Sequence, residues 1–175
     1  MHEYDFILVF RLASADEDPE IHLGRLLEEG CDDASVGIGR RGSIALDFGR
    51  EASSAREAVL SAIAAVKRAI PDATLVEAGP DLVGLTDAAE VLGFSRQNMR
   101  QLVFSSEANP PISVYSGRPT IWHLADLLAW LRDKKRYPVA DDLIELAETN
   151  RQINLFIAAA SELPAVQDEI RSVLV

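Results

Sequence analysis

Cysteine is nearly absent from this chain, which carries one, Cys31, among its 175 residues. A single cysteine excludes an intramolecular disulfide. The chain also lacks an apolar run of the roughly 18 residues that a membrane-spanning helix requires, and its first residues lack the charged and then apolar pattern of a secretory signal. We therefore expect a cytoplasmic protein that does not enter a membrane.

Residues with catalytic chemistry are few and scattered. The three histidines, His2, His22 and His123, lie in different predicted elements, and the sequence has no HExxH pattern and no cysteine pair. Cys31 is followed by two aspartates, whose negative charges would raise the pKa of a thiol rather than lower it. We expect neither an enzyme nor a bound metal or cofactor.

Basic residues are also scarce, with 17 Lys and Arg against 28 Asp and Glu, a formal net charge of -11. The acidic excess is uneven. Residues 1–80 carry 8 basic and 15 acidic side chains, residues 139–175 carry 2 and 7, and residues 81–138 carry 7 and 6. Because an acidic surface repels DNA, the middle segment is the only one whose charge suits contact with nucleic acid.

The first 79 residues alternate predicted strands and helices. Apolar spacing, turn residues and a capping box at Ser54 and Glu57 predict the order βαββαβ, with strands over 4–12, 34–39, 43–48 and 74–78 and helices over 19–30 and from 54 to Pro71. This order predicts a ferredoxin-like sandwich, an antiparallel sheet covered by helices on one face. Gly37, Gly39 and Gly42 match the GxGxxG spacing, but a strand follows them, so they predict a hairpin turn rather than a nucleotide site.

The segment Leu85 to Leu102, LTDAAEVLGFSRQNMRQL, has the spacing of a helix-turn-helix. Thr86 is the predicted cap of a first helix, Gly93 ends it, and Ser95 caps a second. Ala89 is the small residue that lets the two helices approach. The outward side of the second helix carries side chains that form bidentate hydrogen bonds with base edges, namely Arg96, Gln97, Asn98, Arg100 and Gln101.

Two short strands are predicted next, over 112–115 and 120–122, around the turn Ser116 to Pro119, which is the pattern of a wing. An amphipathic helix with leucines at 124, 127, 128 and 131 follows and ends in the basic run 132–136.

The order helix, turn, helix, hairpin, helix resembles the winged helix-turn-helix of MerR-like and excisionase-like (AlpA-like) DNA-binding domains. The resemblance covers about Leu82 to Tyr137 and rests on LTDAAEVLGFSRQNMRQL, the turn SGRP and IWHLADLLAWL. It implies that residues 95–101 read the major groove and that the wing near Arg118 contacts phosphate, usually in a dimer. The chain departs from the pattern in having few basic residues in the second helix.

Residues 139–175 hold two helical patterns. The first has an apolar stripe of Leu143, Ile144, Leu146, Ala147, Ile153, Phe156 and Ile157, and the second has Val166, Ile170, Val173 and Leu174. Surfaces of this kind need cover, either from the same chain or from a second subunit. We favour pairing of two subunits, because a dimer doubles the small positive charge and matches DNA half-sites about 34 Å apart.

These patterns predict an α+β protein with three parts: a ferredoxin-like domain over 1–79, a winged helix-turn-helix over 80–138, and C-terminal helices for dimerisation over 139–175. The expected function is sequence-specific binding of double-stranded DNA by a homodimeric transcriptional regulator. The alternative is a protein-interaction module, such as an antitoxin or assembly factor, that binds a partner through the acidic N-terminal domain and the tail. A ligand sensor in the front sandwich is a third possibility. The predicted DNA-binding residues are Ser95, Arg96, Gln97, Asn98, Arg100, Gln101, Arg118, Lys134, Lys135 and Arg136.

Overall fold

The computed structural model describes residues 1–105, 109–134 and 136–160, together with residues 170, 171 and 173. This part of the chain is a mixed α+β structure, which confirms the predicted class. The strands are β1 (His2–Arg11), β2 (Ala34–Gly37), β3 (Ser43–Ala52), β4 (Thr74–Gly79), β5 (Leu82–Val83) and β6 (Trp122–His123). The helices are α1 (Leu23–Glu28), α2 (Ala55–Ala69), α3 (Leu85–Val91), α4 (Arg96–Phe104), α5 (Leu124–Asp133) and α6 (Asp141–Ala160).

The first four strands form an antiparallel sheet in the order β2-β3-β1-β4. Because side chains alternate between the faces of a strand, one face of β1 buries Phe6, Leu8 and Phe10 while Ile7 on the other face stays partly exposed. Phe6 lies opposite Phe48 of β3, and their rings stack with centroids 5.2 Å apart. Alanines and valines of α2 cover this apolar face.

Helix α2 begins where the sequence predicts, but its capping box is only half formed. The Ser54 hydroxyl accepts a hydrogen bond from the Glu57 amide at 3.1 Å. The Glu57 carboxylate bonds to Ser53, accepting from its amide at 3.2 Å and from its hydroxyl, instead of returning to Ser54. The hydrogen bond that the Glu57 carboxylate would make to the Ser54 amide in a capping box is therefore made to Ser53, one residue earlier.

The helix predicted over 19–30 is shorter and in two pieces. A 3-10 turn occupies Pro19–His22 and α1 follows it. Asp18 caps the turn by accepting a hydrogen bond from the Glu20 amide at 3.1 Å. Strand β3 extends to Ala52, beyond the predicted end at 48, because it pairs with β1 along its whole length.

Buried apolar residues form two clusters, one under the first sheet and one among α3, α4 and α5. Helix α6 packs on both, with Leu146 in the first cluster and Ile144 and Ala147 in the second. The preference for covering this stripe with a second subunit is therefore wrong for these residues, because the chain folds back on itself. Leu155 and Phe156 stay largely exposed. Most of the second tail pattern, including Val166 and Leu174, lies outside the described residues.

A buried polar junction fixes α6 to the link between the two clusters. The Asn154 side chain accepts from the amide of Ala78 and donates to its carbonyl, both at 2.8 Å, and it also donates to Asp81 Oδ2 at 2.9 Å. Asp81 is only 3% exposed, and its Oδ1 lies 2.7 Å from Nδ1 of His123. His123 is the residue that caps the start of α5, and its side chain is 15% exposed beside Asp81.

None of the helices that the structure describes is both long enough and apolar enough to cross a membrane.

Candidate nucleic-acid interface

The first helix of the predicted helix-turn-helix starts two residues earlier than expected. Its cap is Gly84, not Thr86, and the Asp87 carboxylate accepts a hydrogen bond from the Gly84 amide at 2.9 Å. Thr86 lies inside the first turn, so its hydroxyl makes no cap. Gly93 has φ +65°, the left-handed conformation that ends a helix without a steric cost in glycine.

The second helix, α4, begins as predicted. The Ser95 hydroxyl accepts a hydrogen bond from the Asn98 amide at 3.1 Å, and Met99 is completely buried. Phe94 packs under the turn against Tyr137, with ring centroids 5.5 Å apart. These contacts hold α4 in a fixed orientation on the second cluster.

The outward side of α4 is solvent-exposed along its length. Its polar side chains are those that the sequence predicted to face DNA: Arg96, Gln97, Asn98, Arg100 and Gln101. Exposure of five polar side chains on one helix leaves them available to a ligand.

The predicted wing differs from the expected pair of strands. Its two arms form one isolated bridge, Tyr115 with Ile121, beside which the Val114 amide donates to the Ile121 carbonyl at 2.8 Å. No strand forms over 112–114. Trp122 starts β6, which pairs with β5 and places Trp122 opposite Val83. The reason is burial: the Trp122 side chain is 2% exposed, and its Nε1 donates to the Pro111 carbonyl at 3.1 Å.

A cleft of about 720 Å³ separates α4 from the turn at 117–121. Arg96 and Arg100 line it from α4, and Arg118 lines it from the turn. None of these three arginines forms an ion pair with a carboxylate of the described residues. Among the described residues that line the cleft, the one carboxylate is that of Asp87, which is engaged in capping α3. The described lining therefore carries more positive than negative charge.

Phe104 belongs to this cleft but was not singled out from the sequence. The guanidinium of Arg100 lies over its ring, 5.7 Å from the centroid, and the ring in turn tilts against Trp122 at 6.3 Å. The signal was present in the four-residue spacing of Arg100 and Phe104, which places both on one side of a helix.

The basic run after α5 begins with Arg132, which is not among the residues predicted to contact DNA. Arg132 pairs with Asp133 at 3.2 Å and with Asp141 at 3.4 Å. Lys134 and Arg136 are exposed. Lys135 lies outside the described residues. Tyr137, the residue after Arg136, contacts Phe94 in the turn before α4.

Two further residues that the sequence analysis considered, Cys31 and Gly42, lie in the first unit, away from the cleft. Cys31 is buried, and burial raises the pKa of its thiol, with Asp33 and Asp32 adding to the rise while Arg50 opposes it. Gly42 occupies the turn between β2 and β3. Across the described ranges, no group of three or more His, Cys, Asp and Glu side chains is arranged to hold a metal ion.

No protein-family model, curated protein or solved structure matches this chain. The likeness of residues 82–137 to a winged helix-turn-helix therefore stays a prediction based on these residues.

Proposed function

We propose that the chain is a sequence-specific DNA-binding protein, a transcriptional regulator without enzymatic activity. Helix α4 enters the major groove, and the turn at Arg118 contacts the neighbouring backbone. The observation that carries the proposal is the cleft in which Arg96, Arg100 and Arg118 converge without a described acidic partner. Clustered guanidinium groups favour an anionic ligand, and their planar donor geometry matches the oxygens of a phosphate.

The convergence of these arginines distinguishes them from the others on the surface. Arg41, Arg50, Arg68 and Arg151 each pair with a carboxylate, at distances between 2.7 and 3.3 Å. Other exposed arginines, such as Arg11 and Arg40, also have no carboxylate partner among the described residues, but Arg96, Arg100 and Arg118 line one cleft together. Their grouping beside an exposed polar helix is the arrangement that DNA reading requires.

The order of strands and helices supports a fold proposal for each of the two units. The strand order β2-β3-β1-β4 with two crossing helices is the order of a ferredoxin-like sandwich, which supports that assignment for residues 1–79. The sequence α3, turn, α4, bridged turn and α5 supports a winged helix-turn-helix over residues 80–138. The function of the first unit is not needed for the DNA proposal.

A single copy should bind DNA weakly. About three phosphate contacts per chain predict a modest affinity that falls steeply with salt, with a slope of about -3 in log K against log salt. A homodimer doubles these contacts and reads two half-sites. We therefore propose that two copies bind together.

The test uses the full chain and a duplex library randomised over about 20 base pairs, the length of two half-sites. Selection should enrich a defined sequence, and fluorescence anisotropy should then show loss of binding in the double variant Arg96→Glu and Arg100→Glu. The matched control, Arg11→Glu with Arg40→Glu, reverses the same charge on exposed arginines of the first unit and should bind as the wild type does. Equal binding by both double variants would refute the proposal.

A second function, docking of a protein partner on the first unit, is favoured by the uncovered face of its sheet. Glu3 lies directly opposite Glu51, and like charges in that position are destabilising. Asp5 and Asp47 share the face, and neither forms an ion pair among the described residues. A basic partner would relieve this repulsion. A pull-down in which Glu3→Lys with Glu51→Lys releases a co-purified protein would support it, and recovery of the chain alone would count against it.

A further inference from the structure

The polar side chains of α4 fall into two groups around the helix. At 3.6 residues per turn, each residue advances about 100°. Met99 and Val103 are buried and mark the inner side. Gln97 and Gln101, one turn apart, lie opposite them, at the outermost line of the helix. We call this line the pole of α4.

Arg96 and Arg100 lie on one flank, between the pole and the core. Both line the cleft that Arg118 closes from the other side. Phe104 continues the same flank and holds the Arg100 guanidinium against its ring. The arginines therefore point to the cleft wall, and the glutamines do not line it.

A helix in the major groove presents its pole to the base edges and its flanks to the groove walls. The groove is about 12 Å wide, which leaves the phosphates beside the flanks of an inserted helix. Glutamine carries one donor and one acceptor in its amide, and these match the N6 amino group and N7 of adenine.

We propose that Gln97 and Gln101 read adenine in A·T base pairs, while Arg96, Arg100 and Arg118 clamp the phosphates of the adjacent strand. The half-site recognised by α4 then contains A·T pairs at its centre. This inference rests on the proposed DNA binding and assigns separate tasks within it. Asn98 lies on the opposite flank and takes no part in reading these pairs.

The test starts from the duplex enriched by the wild-type chain and compares it with duplexes in which each A·T pair is replaced by G·C. Wild type should lose roughly 5- to 150-fold in affinity at the two positions that the glutamines read. Gln97→Ala and Gln101→Ala should each abolish the discrimination at one position. Glu90→Ala, at an exposed position of the neighbouring α3, is the control and should keep both preferences.

The arginine variants provide the second readout. Arg96→Ala, Arg100→Ala and Arg118→Ala should weaken binding to all duplexes by a similar factor, and each should reduce the salt slope by about 1. Base preferences that change in an arginine variant and persist in both glutamine variants would overturn the inference while DNA binding stands. Failure of the wild-type chain to bind any duplex would overturn the proposed function itself.

Discussion

At the scale of single residues, two glycines show how one backbone conformation has different consequences. Gly42 and Gly93 both have positive φ, +73° and +65°. A Cβ added at Gly42 would lie 2.6 Å from the carbonyl oxygen of Ala15, whereas one added at Gly93 would meet nothing within 4 Å. Gly42 is thus required both for its conformation and for the approach of a neighbouring loop, and Gly93 for its conformation alone.

Gly93→Ala should lower the free energy of unfolding by about 1–2 kcal/mol, the cost of a left-handed alanine. Gly42→Ala should lower it further, because the backbone at Ala15 must move as well. Urea denaturation of the two variants and the wild type measures both values. Equal losses of unfolding free energy in the two variants would show that the backbone at Ala15 moves without an energetic cost.

Cys31 should be inert in the folded protein. Burial both hides its sulfur and raises the pKa of the thiol, so the reactive thiolate is scarce near neutral pH. A thiol reagent such as DTNB should react at the rate of unfolding, and fully once urea unfolds the chain. Rapid reaction of the native protein would contradict the prediction.

The same raised pKa has a consequence for stability. The folded state keeps the Cys31 proton to higher pH than the unfolded state does. The contribution of the protonated thiol to the free energy of unfolding is therefore complete below about pH 8.5, the usual pKa of a thiol, and is lost as pH rises towards the folded pKa.

At the scale of elements, local patterns predicted most of the helices and an antiparallel first sheet, but not the pairing of β5 with β6. Ser95, Gly93 and the apolar spacing of α4 act within a few residues, and the structure confirms them. The start of α3 was misplaced because Asp87 can bond to the Gly84 amide, and a glycine with no side chain gives no cap signal. The pairing of β5 with β6 joins residues about forty positions apart, which no local pattern encodes.

Among the contacts between elements, we expect those of the Asn154 side chain to contribute most to the free energy of unfolding. Its amide occupies both peptide groups of Ala78 on β4 and reaches Asp81, so Asn154→Ala would leave buried polar groups without partners. The expected loss is about 2–3 kcal/mol in the free energy of unfolding. Gln152→Ala, an exposed amide on the same helix, should change it little. A small loss at Asn154 would show that water replaces its bonds.

At the scale of the whole molecule, α6 joins two clusters and leaves a groove beside them. Leu60 and Ile63 of α2, Ala129 of α5, and Ile153 and Phe156 of α6 line a cavity of about 910 Å³. Phe156 is 75% exposed, an unusual state for a phenylalanine on a folded chain. An apolar groove with an exposed aromatic at its edge marks an interaction surface.

Charge distinguishes which surface suits a second copy. The open sheet face carries Glu3 opposite Glu51, so two such faces repel each other. The groove rim carries both signs, with Arg56 on one side and Glu145 and Glu148 on the other. A two-fold contact places the same surface of each subunit against itself, so a rim of mixed sign can be self-complementary.

We therefore predict that the chain dimerises through this groove, each copy placing Phe156 on its partner. Sedimentation equilibrium without DNA should give twice the mass of the chain, and Phe156→Glu or Leu60→Glu, on the two helices α6 and α2 that line the groove, should each give a monomer. Ile21→Glu is the matched control, because Ile21 is 68% exposed but lies on the 3-10 turn outside the groove. Circular dichroism should show that all three variants fold. A monomeric wild type, or a dimer that survives both groove variants, would contradict the prediction, and neither result depends on whether the protein binds DNA.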